Sequence, residues 1–123
     1  MGTWGAGNFQ SDGALDYVGD VTAGLCARIE SVMSDEILFA LDEEAEAVIP
    51  PTVTMLTLLC DRCGAAPPEP GRVLSWREKY LSMFDREIGD LDPAEGYGPE
   101  RRATLIETFD ALLSKSKGFW GTA

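Results

Sequence analysis

Apolar side chains in this chain recur at intervals of three and four residues, and no stretch alternates in twos clearly enough to read as a strand. That period places side chains on one face of an α-helix, whereas a half-buried strand needs a period of two. Leu15, Val18, Thr22, Leu25, Ile29 and Val32 form the first such stripe, with Cys26 and Met33 beside it. Ser11 fits the N-cap, since its hydroxyl can accept from an otherwise unpaired amide, and Asp12 stands at the positive end of the helix dipole. A helix over Asp12–Met33 follows.

Further stripes occupy Val53, Leu56, Leu59, Cys60 and Cys63, then Val73, Trp76, Tyr80, Phe84 and Ile88, then Leu105, Ile106, Phe109, Leu112 and Leu113. The third predicts a helix from about Arg72 to Asp90, and the last a helix running to about Lys117 with Pro99 in its first turn. "GAAPPEPG" (64–71) and "GDLDPAEGYGP" (89–99) read as loops. Within "SDEILFALDEEAEAVI" (34–49), Ile37, Leu38, Phe39 and Leu41 fit either a short buried helical turn or an extended connection. Asp42 is positioned to cap a helix from Glu43. Pro50 and Pro51 lack amide donors and disfavour helix in the preceding residue, so a kinked or restarted helix is expected over 42–63, ended by Gly64. Neither side of the 64–71 loop has enough apolar residues for a separate core. The expected fold is all-α: one domain, 1–123, a bundle of four or five helices.

Ahead of the first helix, Trp4 and Phe9 stand among Gly2, Gly5 and Gly7, and "KGFWGTA" closes the chain with Phe119 and Trp120. Burying one such ring is worth roughly 1.5–3 kcal/mol. The opening therefore reads as an N-terminal Trp/Gly plug that folds under the bundle, with both ends of the chain at one pole.

Trp4, Gly5, Gly7, Phe9, Asp12, Ala14 and Asp16 match the pattern W-G-x-G-x-F-x-x-D-x-A-x-D. The chain resembles a family of small bacterial proteins that open with this motif and are classified only as a domain of unknown function. The order of the remaining segments is similar more loosely. The resemblance implies no catalytic residue. It does imply the company of small cytoplasmic proteins found near toxin and defence genes, and so, by association, an immunity role.

The net charge of −11 divides unevenly. Up to Gly71 twelve acids face two bases, and from Arg72 onward nine acids face eight. A field of that sign repels nucleic acid and anionic membrane and attracts basic proteins. No window approaches the run of about 18 apolar residues that a membrane helix needs. No basic region and apolar stretch mark a secretory leader. Three cysteines, an odd number, fit a reducing compartment, so a cytoplasmic location is expected.

Asp12, Asp16 and Asp20 fall four apart and make an acidic ridge on the first helix, opposite Leu15, Val18 and Leu25. Asp35, Glu36, Asp42, Glu43, Glu44 and Glu46 form the densest acidic stretch, with Ile37 or Phe39 available as an apolar anchor. These nine acids are the candidate partner-binding residues, and the partner a basic protein such as a toxin. "CDRC" (60–63) has the spacing of a metal knuckle or redox pair, but the chain has no histidine and only Cys26 as another thiol, so structural thiols are expected and no metal or cofactor. Without histidine, an evident base beside a nucleophile, or a strand-to-helix glycine loop, catalysis is not expected. The alternatives are an enzyme built on a carboxylate-bound metal and a homo-oligomeric structural protein.

Overall fold

In the computed structural model, residues 2–121 are described. Four helices follow in order: α1 (Asp12–Met33), α2 (Glu44–Cys63), α3 (Pro70–Glu87) and α4 (Tyr97–Trp120), with a short 3-10 turn, Ile88–Leu91, after α3. Among the described residues there is no strand, only an isolated bridge between Thr3 and Ser11. The fold is a single all-α bundle.

α1 starts where the sequence places it. Ser11 is extended, and its side chain accepts from the Ala14 amide at 3.1 Å. Pro50 and Pro51 do not break α2, which runs through them without interruption. A proline inside a helix costs about 3 kcal/mol relative to alanine. Ile49, Val53 and Leu56 are fully buried around the pair, and each contributes roughly 1.5–3 kcal/mol of burial, enough to hold the helix together. The N-cap of α2 is Glu43, not Asp42, and it makes no side-chain capping bond. Gly64 ends α2 with φ of 71°, in the left-handed region that glycine enters without strain. Residues 34–43 are turns rather than a helix. α3 begins two residues earlier than expected, with Pro70 at its first position, and α4 begins at Tyr97, after Gly96, with Pro99 in its first turn as the sequence places it.

Cross-helix pairs fix the topology. Arg28 meets Glu44 at one end of α1 and α2, and Leu15 lies against Gly64 at the other, so these helices are antiparallel. Glu46–Arg101 and Asp61–Lys115 make α2 and α4 parallel, while Arg77–Asp110 and Asp85–Arg102 make α3 and α4 antiparallel. The result is an up-down-up-down bundle. Its centre holds Ile29, Ile49, Leu56, Tyr80, Phe84 and Phe109, all essentially buried. Tyr80 packs edge-on to Phe39 at 6.3 Å and against Phe109 at 5.7 Å.

The opening segment is not a plug. Trp4 is 56% exposed and Phe9 38%, and Phe119 and Trp120 are also about half exposed. Residues 2–11 instead close on themselves: the Trp4 amide donates to the Gln10 carbonyl (3.0 Å), the Gln10 amide to the Gly7 carbonyl (3.2 Å) and the Gly7 amide to the Gln10 side chain (2.7 Å). The glycines serve this tight turn, and the bundle closes without the aromatic rings. The start of α1 and the end of α4 do lie at one pole, by the 64–69 loop, where Leu15 is against Gly64. There Ser116 Oγ donates to the Pro68 carbonyl and Trp120 Nε1 to the Pro67 carbonyl.

Candidate functional site: an apolar pocket at the acidic pole

The last turn of α1 lies against the first half of α3, where Glu30 accepts from Arg72 and Trp76. At the pole opposite the 64–69 loop, where α3 ends and α2 and α4 begin, the 34–43 loop that follows α1 meets a second loop. Asp35 shapes the first: its carboxylate accepts from the amides of Ile37 (2.9 Å) and Leu38 (3.0 Å). The loop is tied to α3 by the Leu41 amide, which donates to Glu87 (3.1 Å). The second loop carries the 3-10 turn and returns to α4. Between them lies a pocket of about 340 Å³ lined by Leu41, Glu46, Phe84, Ile88, Leu91, Pro93, Ala94 and Tyr97. Its size falls at the low end of small-ligand sites, roughly 300–1,000 Å³.

Glu46 is the one charged group in that lining, and it is held from behind. One carboxylate oxygen accepts from the Tyr80 hydroxyl and the other from Arg101 Nε at 2.6 Å. Burial, then the hydrogen bond to Glu46 and its negative charge, pushes the Tyr80 phenol far above its ordinary range, so it remains a donor. A second depression of about 350 Å³ adjoins the pocket. It shares Ala94 and Tyr97 and is completed by Glu95, Glu100, Arg101 and Thr104.

The nine acids expected to bind a partner do not form one surface. Asp12, Asp16 and Asp20 are exposed on the first half of α1, at the far pole. Asp12 and Asp35 stand at opposite ends of a 22-residue helix, about 33 Å long at 1.5 Å per residue. Within the second group, Glu44 is paired with Arg28 at 2.8 Å, Glu46 with Arg101 and Tyr80, and Asp35 with its own loop amides. Glu36, Asp42 and Glu43 are exposed and make no ion pair among the described residues. Ile37, 75% exposed, remains available as an apolar anchor, whereas Phe39 is half-buried against the core.

The structure adds acids that sequence reading left out. Asp90, Asp92, Glu95 and Glu100 are exposed at the same pole. Their signal was present in "GDLDPAEGYGPE", but the balanced charge of the second half hid it. Each base at this pole, Arg86, Arg101 and Arg102, already has an acidic partner. Among the described residues three bases make no ion pair: Arg62 at the end of α2, Lys117 at the end of α4, and Lys79 within α3, which lies beside Met33 and Ser34 where the 34–43 loop begins.

Among the described residues no three Cys, Asp or Glu side chains come together so as to hold a metal ion. Cys26, Cys60 and Cys63 are free thiols, and burial pushes the first two above their ordinary pKa, away from the reactive thiolate. Among the described residues no helix is long and apolar enough to cross a membrane.

Comparison with protein-family models, with curated proteins and with solved structures gives no match.

Proposed function

We propose that this chain is a protein-binding module that captures a basic protein at its acidic pole. The observation that carries the reading is the arrangement there: exposed Asp42, Glu43, Asp90, Asp92 and Glu95 stand next in the chain to Leu41, Leu91, Pro93 and Ala94, which line an apolar pocket, and Arg86, Arg101 and Arg102 are already paired. Complementary charge speeds encounter with a cationic protein, and desolvated apolar contacts set how long the complex lives. The resemblance carried by Trp4, Gly5, Gly7, Phe9, Asp12, Ala14 and Asp16 favours an immunity-type role, with a toxin as the neutralised partner and the cytoplasm as the place of action. Asp12, Asp16 and Asp20 then act as a long-range field, not as contacts.

The test is affinity capture from cells carrying this gene, with washes at low and moderate salt. A variant carrying Asp42→Lys, Glu43→Lys and Asp90→Lys is run in parallel. One basic protein recovered in stoichiometric amount by the native chain and lost by the variant, with helical content unchanged, supports the reading. Equal recovery by both, or no basic protein, overturns it.

A second reading, self-assembly, draws on exposed Tyr17, Val21, Met55 and Leu58. Helical spacing puts these residues on the stripes that carry Arg28 and Glu44, whose ion pair bridges α1 and α2 on that side. A solution mass of a single chain would dispose of it.

A further inference from the structure

The pocket between Leu41 and Tyr97 is apolar apart from Glu46, and Glu46 is already engaged by Tyr80 and Arg101. A charged ligand head inside it would find no free counter-charge, and an apolar side chain would find the walls it needs. Immediately beyond Tyr97 the character changes, because Glu95 and Glu100 line the adjoining depression. Tyr97 and Leu91 are 44% and 46% exposed, so the rim between the two is accessible. Arg101 contributes no free positive charge, since its guanidinium is paired with Glu46.

We infer that this pole is a two-part recognition site for a basic polypeptide segment, in which one aliphatic side chain enters the Leu41–Tyr97 pocket and a neighbouring lysine or arginine lies over Tyr97 toward Glu95 and Glu100. The inference rests on the proposed capture of a basic protein and names what that partner presents. Charge complementarity selects the occupant. An acidic or neutral segment would bring no cation to Glu95 and Glu100, while a cationic side chain gains both those carboxylates and the face of the Tyr97 ring. The aliphatic residue supplies the dehydrated centre that a charged rim alone lacks.

The test uses the full chain labelled with nitrogen-15 and three short capped peptides at up to millimolar concentration in low salt. The first is Lys-Lys-Leu-Lys-Lys, the second has alanine in place of leucine, and the third has glutamates in place of the lysines. The expected result is that the first peptide shifts the amide signals of Leu91, Ala94 and Tyr97 and binds about tenfold more tightly than the second, the ratio that burial of an aliphatic side chain supplies. Ala94→Trp, which fills the pocket from an exposed loop position, brings the first peptide down to the affinity of the second. Glu95→Lys with Glu100→Lys weakens both and flattens their salt dependence.

Equal affinity for the leucine and alanine peptides overturns the pocket and leaves the acidic pole as a basic-protein surface. Equal affinity for the lysine and glutamate peptides overturns the cationic occupant. If neither basic peptide shifts signals at this pole, this inference and the proposed function both fail.

Discussion

Glu46 stands in an acidic run yet serves the fold. Its two carboxylate oxygens take bonds from Tyr80 and Arg101, which lie 34 and 55 residues away in the chain. Both partners are largely withdrawn from water, so breaking the arrangement leaves charge uncompensated at a partly buried site. Glu46→Lys, which also sets two cations side by side, is expected to lower stability by about 3 kcal/mol. Tyr80→Phe keeps the ring packing and removes one hydrogen bond to a charged group, for a loss of about 1.5–3 kcal/mol. Urea unfolding of both variants measures this. A Glu46→Lys protein as stable as the native chain would show that the network carries no weight. No local spacing announces such a role: in sequence Glu46 is indistinguishable from Glu43, and the distant partners alone separate them. For the same reason Trp4 and Phe9 are legible as large apolar residues beside glycines but not as exposed ones, because whether a ring is covered depends on elements remote in the chain.

Among the elements, α1 was legible to the residue, since an apolar stripe, a serine cap and an acidic first turn all agree. α2 was not. Local rules treat Pro50 and Pro51 as an interruption, and burial contributed by other helices outweighs them. That account makes a prediction. Pro51 is exposed, so Pro51→Ala regains a backbone donor without opening the core. After the loss of proline's restraint on the unfolded chain, a gain of about 1–2 kcal/mol is expected. A drop in the urea midpoint would show instead that the proline ring is part of the packing.

The ties between helices predict a pH dependence. The hydrogen bond from Arg72 lowers the pKa of Glu30, that from Lys115 lowers Asp61 and that from Arg102 lowers Asp85. Near pH 4 the unfolded chain therefore binds more protons than the folded one at these three sites. Their stabilisation is present above the ordinary carboxylate values of about 4, and is lost as pH falls through the lower folded values. The urea midpoint should fall from about pH 5 downward, and less steeply for Arg72→Ala with Arg102→Ala. An unchanged slope in that double variant would remove these ties from the acid response.

At the scale of the whole molecule, the charge is arranged and not merely abundant. Among the described residues ion pairs occupy seven of the ten bases, and six of them knit α1 to α2 and α3, and α4 to α2 and α3, the seventh joining Arg86 to its neighbour Glu87 within α3. Most of the acids outside these pairs gather in two places, the ridge on α1 and the pole formed by the 34–43 and 88–96 loops with the start of α4, separated by most of the length of α1, while Glu69, Glu78 and Glu107 lie apart from both. A standard interface covers about 800 Å² on each partner, so one compact partner seated on the pole does not also sit on the ridge. The two sets therefore differ in kind. Reversal of Asp42, Glu43 and Asp90 to lysine should slow association with the captured partner about tenfold or more and shorten the life of the complex. Reversal of Asp12, Asp16 and Asp20 should slow association by a smaller factor that disappears at high salt, with the lifetime unchanged, because a charge beyond a Debye length of about 8 Å acts on encounter and not on contact. Association and dissociation rates measured across a salt series separate the cases. A ridge variant whose complex dissociates faster would move the binding surface to α1 and displace the pole from the role given to it.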